Sequence, residues 1–328
     1  MMRLPPFDYR RARSIDEAVA LRVEHGGMYV AGGTDLYPNM KRRHQTPATV
    51  IDLMPVRELR SIEAVSRSIE IGACARLSEV ARHPALQGYG ALLQAVRSIS
   101  TPLLRNMGTL GGNVLLDTRC NYYNQSEEWR RAVNFCMKKD GDVCWVAPGS
   151  SRCWAVQSSD TVPVLVALDA RYRLVGPQGE RTVAAGDFYR DDGIQYLHKA
   201  GDELLTHVVL PPMDGSDMAF RKLRRRGAFD FPVLNVAVWV RWVNGVVDEA
   251  RIVVGAVGSA PLRVPEAESQ VRGTHLDSTT CAAAAEAAYR PAKPLDNTDF
   301  AYAWRKQMVR KFVREALEEV GRRHQGTN

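Results

Sequence analysis

The sequence predicts an α+β chain of more than one unit, and three observations lead there. A chain of 328 residues is long enough for two or three domains. Beyond Pro211-Pro212 the strand-like segments come first and the helical ones after, which suggests a separate C-terminal α+β unit. The glycine pair Gly32-Gly33 follows a strand but is not part of a G-x-G-x-x-G, so a doubly wound dinucleotide fold is not supported.

Residues 1–13 read as an extended entry. Ser14 and Glu17 make an S-x-x-E capping box, and Ile15, Ala18, Val19 and Val23 recur at helical spacing up to Gly26-Gly27. Met28-Tyr29-Val30 is a short strand running into Ala31-Gly32-Gly33-Thr34-Asp35-Leu36. Such a loop can wrap a phosphate, because its amides are unhindered and a hydroxyl adds a donor; a plain tight turn has the same pattern. Residues 50–53 and 68–72 read as strands, and 77–81 and 92–98 as helices. A second glycine loop, Thr109-Leu110-Gly111-Gly112-Asn113, follows an apolar segment.

The apolar run 162–170 fits either a buried helix or a strand. Tyr172–Val175 and Arg181–Val183 bracket the turn Gly176-Pro177-Gln178-Gly179, a hairpin, and 204–210 is a strand. Residues 232–242 alternate at Val236, Val238 and Val240, and a strand at 251–257 follows the turn Asn244-Gly245. Residues 282–288 and 300–319 are helices, the second with Met308, Phe312 and Leu317 on one face.

Composition narrows the function. No run of eighteen apolar residues exists, so no membrane span is expected. Basic clusters at 41–43, 221–226 and 305–314 accompany a net charge of +7, but no nucleic-acid motif goes with them. Met1–Arg13 holds two prolines and four arginines and no apolar stretch of a signal peptide, so a cytoplasmic location is expected. No nucleophile–base pair or paired carboxylates stand out, and the seven histidines are scattered.

Four of the six cysteines lie close together: Cys120, Cys136, Cys144 and Cys153, spaced C-x15-C-x7-C-x8-C among aromatic residues. Disulfides are not needed by an intracellular chain of this size. Zinc sites usually use paired ligands two to four residues apart, a pairing missing here. An iron–sulfur cubane binds one thiolate per iron from separate backbone approaches, which suits long spacings. Unrelated buried thiols remain a further reading, and Cys74 is read as a small buried hydrophobe.

The two glycine loops, in this order and about 75 residues apart, together with Ser158-Ser159-Asp160, resemble the flavin-binding subunits of the xanthine oxidase and carbon monoxide dehydrogenase family of molybdenum enzymes. That resemblance covers essentially the whole chain. It implies a vanillyl-alcohol-oxidase-like (PCMH-type) FAD-binding domain over residues 1–212 and a C-terminal α+β domain of the CO dehydrogenase flavoprotein type over 213–328. It also implies FAD contacts from Tyr29, Val30, Ala31, Gly32, Gly33, Thr34, Asp35, Leu36, Ile99, Thr109, Leu110, Gly111, Gly112, Asn113, Asp160, Leu205 and Lys222, with Asp230 shaping a turn beside Lys222. Many relatives carry a threonine after the position of Gly72, where this chain has Cys74-Ala75-Arg76.

Asn113 and Asp160 are separated by 46 residues, where the family needs about a dozen. The insert, about 117–155, with Asp117-Thr118-Arg119-Cys120 and Tyr123-Asn124-Gln125-Ser126-Glu127, resembles that of the 4-hydroxybenzoyl-CoA reductases. It implies a 4Fe–4S cluster on Cys120, Cys136, Cys144 and Cys153. The implied complex contains a large molybdopterin-binding subunit and a small subunit with two 2Fe–2S clusters, arranged as a dimer of heterotrimers. A ferredoxin-type donor would drive dehydroxylation of 4-hydroxybenzoyl-CoA to benzoyl-CoA, and the insert's small excess of positive charge suits such an anionic donor. Two alternatives stand beside this reading. One is a flavin subunit of an aldehyde or heteroaromatic dehydrogenase running oxidatively; the other is a zinc-held scaffold without redox function.

Overall fold

The computed structural model describes residues 3–326; Met1, Met2, Thr327 and Asn328, at the two ends of the expected domains, lie outside the described residues. The chain opens with a three-stranded parallel sheet of β1 (Asp8–Arg11), β2 (Met28–Val30) and β3 (Thr49–Asp52), in the order β1-β3-β2. Parallel neighbours need crossovers, here α1 (Ile15–His25) and α2 (Leu36–Lys41). Ser14 Oγ accepts the Glu17 amide at 3.1 Å, while the Glu17 carboxylate reaches back to the amide of Arg13 at 2.7 Å. Gly26, at φ 63°, ends α1 in a conformation that suits glycine.

The second sheet is antiparallel and holds β4 (Ile62–Val65), β5 (Ser68–Gly72), β6 (Arg171–Gly176), β7 (Gly179–Ala184) and β8 (Leu204–Leu210), in the order β4-β5-β8-β6-β7. Between β5 and β6 the chain leaves the sheet for α3 (Leu77–Val80), α4 (Gly90–Ser98), α5 (Pro102–Arg105), α6 (Leu110–Val114), α7 (Glu127–Ala132) and α8 (Thr161–Ala167). The apolar run after Asp160 is thus a helix, and every residue of α8 is buried.

A third, antiparallel sheet follows, of β9 (Ser216–Leu223), β10 (Leu234–Val243), β11 (Val246–Gly255) and β12 (Leu262–Arg263), in the order β12-β11-β10-β9. It is backed by α9 (Pro265–Val271), α10 (Ser278–Tyr289) and α11 (Tyr302–Gly326). Strand β10 is buried on both faces. Val236, Val238 and Val240 enter the core shared with α9 to α11, while Ala237 and Trp239 enter the core shared with α4 and α8. Each large apolar side chain removed from water there contributes about 1.5–3 kcal/mol, so β10 ties the third sheet to the first half of the chain.

Three elements depart from the sequence expectation. The second glycine pair lies not in a loop but in α6: Thr109 Oγ1 caps it by accepting the Gly112 amide at 3.2 Å, which offsets the poor helix propensity of glycine. The stretch at 216–223, to which the sequence reading gave no element, is an edge strand with Met218, Ala219 and Phe220 buried in a row and its other residues half-buried. The strand expected at 251–257 begins at Val246, directly after a hairpin turn with positive φ at Asn244 and Gly245. Among the described residues, no helix is long and apolar enough to cross a membrane.

Candidate cofactor sites

The first glycine segment links β2 to α2, and it meets the second segment across a backbone contact. A Cβ at Gly32 would overlap the carbonyl of Met107, and one at Gly33, itself at φ 67°, would overlap the Tyr37 ring. Only glycine lets the two segments approach this closely. The amides of Gly32, Gly33, Thr34 and Asp35 have no acceptor among the described residues, and Thr34 is exposed. A run of unpaired amides on a Cβ-free turn is a donor set that fits the oxygens of a phosphate. Tyr29 and Val30 lie on β2, Ala31 follows them, and Leu36 begins α2.

The second segment behaves differently. Its amides are used within the protein: Leu110 donates to the Ala75 carbonyl at 3.0 Å, Gly111 to Ala73 at 2.8 Å, and Asn113 to Thr109 at 3.1 Å. A Cβ at Gly111 would sit 2.6 Å from that of Ala73. This glycine pair therefore seats α6 against the 73–77 segment and brings Thr109 and the first loop together. The Asn113 side-chain oxygen accepts from Ser159 Oγ and Thr161 Oγ1, each at 2.6 Å, and from the Thr161 amide at 3.2 Å. That clasp closes the base of the insert.

Asp160, before α8, and Lys222, on β9, form a buried ion pair at 2.9 Å, with side chains 3% and 5% exposed. Burial raises the Asp160 pKa and lowers that of Lys222, each opposed by the partner's charge. Lys222 also donates to the Ser98 carbonyl at 3.0 Å, next to Ile99 at the end of α4. Read without the family, Lys222 would be a solvated charge; its burial comes from the third sheet closing over α4. Asp230 accepts the amide of Arg226 at 2.7 Å and holds the 226–230 turn. Leu205 is buried in the same core as α4 and α8.

The four insert cysteines are all buried, all free, and line one cavity together with Tyr122, Tyr123, Lys138 and Trp145. Cys120, Cys136 and Cys144 each begin a tight turn: their carbonyls accept the amides of Tyr123 at 3.0 Å, Lys139 at 2.8 Å and Ala147 at 3.0 Å. Positive φ at Asn134, Phe135 and Asp140 bends the chain around Cys136. Nothing in the cysteine spacing announced these turns. The Ala155 amide points at Cys153 Sγ, at 3.4 Å. Burial pushes the thiols of Cys120 and Cys153 up to about 12 and about 11. They become good ligands only when a metal displaces the proton.

The neck of the insert is a two-way backbone bridge between Arg119 and Val156, at 2.9 and 2.8 Å. The Arg119 side chain pairs with Asp35 of the first glycine segment at 3.6 Å and covers the Phe231 ring. The insert is thus anchored directly on the first loop. Among the described residues, no group of three or more His, Cys, Asp or Glu side chains is placed to hold a metal ion.

Residues 5–213 match the family described as FAD binding domain in molybdopterin dehydrogenase, and residues 218–320 match the CO dehydrogenase flavoprotein C-terminal domain. The chain belongs to this family. It is 31% identical over 284 residues to the aldehyde oxidoreductase FAD-binding subunit PaoB of Escherichia coli (strain K12), covering 81% of this chain and 86% of that one. It is 28% identical to the carbon monoxide dehydrogenase medium chain of Hydrogenophaga pseudoflava, covering 95% of this chain and 97% of that one. A solved structure of carbon monoxide dehydrogenase from the same organism superposes with a TM-score of 0.80 at 26% identity, covering 97% and 98% of the two chains. The family's mixed α/β architecture is the one described above, and the chain is an FAD-binding oxidoreductase subunit of the molybdenum hydroxylase family.

Proposed function

We propose that this chain is an electron-transfer subunit that carries FAD and one 4Fe–4S cluster within a molybdenum-enzyme complex of the 4-hydroxybenzoyl-CoA reductase kind. The observation that carries the proposal is the convergence of Cys120, Cys136, Cys144 and Cys153 on one cavity, although 7 to 15 residues separate neighbours in sequence. A disulfide role finds no support, because all four are free. One thiolate per iron, each from its own turn, is the donor set a cubane needs.

In this reading the amides of Gly32 to Asp35 bind the FAD pyrophosphate, with Tyr29, Val30, Ala31 and Leu36 around them. Ile99, Thr109, Leu110, Gly111, Gly112, Asn113, Asp160, Leu205 and Lys222 shape the remainder of the flavin site. Most of these act by holding backbone in place: the Asn113 clasp and the Asp160–Lys222 pair fix walls, and the Gly32 contact fixes the spacing of the two segments. The FAD-binding domain is taken as 1–212, with the insert at about 117–155, and the C-terminal domain as 213–328. When bound, a flavin exchanges one or two electrons and a cubane one, so the pair converts between carriers. The chain's own residues exclude water from the sulfurs and set their hydrogen bonds.

A large molybdopterin subunit and a small subunit with two 2Fe–2S clusters complete the complex, as a dimer of heterotrimers in the cytoplasm, with ferredoxin as electron donor. The substrate site lies on the molybdopterin subunit in this reading. A second reading is favoured by the relatives' names: aldehyde oxidoreductase, carbon monoxide dehydrogenase and nicotine 6-hydroxylase subunits. There the complex oxidises its substrate and the flavin passes electrons outward.

Iron, acid-labile sulfide and flavin measured on one anaerobic sample test the proposal. Four irons and four sulfides per chain beside one FAD are expected from this subunit; zinc with no iron overturns it. Cys136→Ser removes the cluster iron and leaves the flavin, whereas loss of both argues against separate sites. Reduced ferredoxin or viologen supporting dehydroxylation selects the reductive direction, and flavin reduction by an aldehyde selects the oxidative one.

A further inference from the structure

Among the described residues, Lys138 is the one cation whose side chain lines the four-cysteine cavity, and it is buried, with its side chain 6% exposed. Its ammonium donates to Asp117 Oδ1 at 2.8 Å, Thr118 Oγ1 at 2.7 Å and the Gly193 carbonyl at 2.6 Å. It also lies 4.7 Å from the Tyr123 ring centroid and 5.4 Å from that of Tyr196. Three donors are thus matched by three acceptors, and the charge cannot swing away as a surface lysine does.

The pair is polarised. Asp117 receives bonds from Tyr123 Oη at 2.9 Å and Gln45 Nε2 at 3.1 Å, yet it does not line the cavity. Lys138 does, so the cation is the member of the pair that lines the cavity with the sulfurs. The same lysine reaches Cys153 through Gly193. The Gly193 amide donates to the Cys153 carbonyl at 2.9 Å, and its carbonyl accepts from both Lys138 and Thr118. A Cβ at Gly193 would stand 2.7 Å from Cys153 Sγ, so this segment is pressed against the sulfur.

We propose that Lys138 is a positioning residue for the cluster, a fixed buried cation that holds the Cys153 segment and favours the reduced state. This inference rests on the cluster reading above. Adding one electron to a thiolate-ligated cluster adds one negative charge, and a nearby cation that solvent does not screen stabilises that charge. Asp117, bonded to the same ammonium but not lining the cavity, opposes the effect.

The test uses the complete anaerobic complex, with Lys138→Met and Asp117→Asn, and reads the cluster by EPR during a mediator-poised redox titration. At the wild-type midpoint, Lys138→Met is expected to lower the reduced-to-oxidised ratio about tenfold, which is about 59 mV for a one-electron couple. Asp117→Asn is expected to raise the ratio, and iron and flavin contents stay at wild-type values. A merely structural role predicts no opposite shifts. An unchanged ratio in Lys138→Met with full iron overturns the proposal, as do shifts of both variants in one direction. Should Lys138→Met lose its iron, Asp117→Asn decides alone: a raised ratio supports the proposal and an unchanged or lowered one overturns it. Wild-type complex without iron in this subunit removes the cluster reading itself, and this inference with it.

Discussion

Replacing Lys222 by Met tests the clasp between the two halves of the chain. Lys222 and Asp160 meet at 2.9 Å with almost no solvent access. At an effective dielectric of about 20, unit charges about 3 Å apart attract by roughly 5–6 kcal/mol. Desolvation of both groups consumes much of that, so the net worth of the pair is small. Removing one partner is another matter. Asp160 then keeps only Ser98 Oγ, at 3.4 Å, and the Ser98 carbonyl keeps only Arg224, at 2.9 Å. Stranding one member of a buried pair costs about 3–5 kcal/mol. The double variant Lys222→Met/Asp160→Asn is expected to lose no more than about 2 kcal/mol, because no buried charge is left alone. Urea unfolding of the wild type, both single variants and the double variant, followed by tryptophan fluorescence, gives the coupling energy. A single variant costing under about 1 kcal/mol, together with additive effects in the double, would refute the reasoning.

Three other outcomes follow from the same geometry. Gly32→Ala forces a methyl into the Met107 carbonyl, so the two glycine segments must part; a loss of about 1–3 kcal/mol in stability and a large loss of bound FAD are expected by absorbance. Burial and the Arg130 guanidinium depress the His44 pKa to about 4. Below about pH 6.5 the unfolded chain binds a proton there that the folded chain refuses until pH about 4, so stability falls as pH drops through that window. After allowance for partial water access the effect is about 1–2 kcal/mol, and His44→Phe, which keeps the stacking on Tyr123, flattens the pH profile measured by chemical unfolding. Arg305 is fully buried and donates to the carbonyls of Val233, Leu295 and Ala256 at 3.0, 2.9 and 2.8 Å. Arg305→Met orphans the Val233 and Ala256 carbonyls, while that of Leu295 keeps the Asn297 amide at 2.9 Å, and the change is expected to cost about 3–5 kcal/mol, read as a lower unfolding midpoint.

What the sequence determined by itself was local or repetitive. Periodicity and turn residues located α1, β2, β5, the β6–β7 hairpin and α11, because each rests on contacts within a few residues. The family resemblance carried by the two glycine pairs pointed to a flavin subunit, and the clustered cysteines marked its insert. Tertiary structure decided which groups point where. Only packing shows that the Gly32 turn leaves its amides unpaired while the Gly111 pair spends its own on the 73–77 segment. Only the third sheet closing over α4 turns Lys222 from a surface charge into half of a buried pair. The same holds for the insert: three separate turns and the Arg119–Val156 neck bring four distant thiols to one cavity, with Lys138 and Gly193 pressed against it. The physical reason is that hydrogen-bond partners and dielectric surroundings belong to pairs of residues far apart in the chain, and spacing along the sequence carries no record of them.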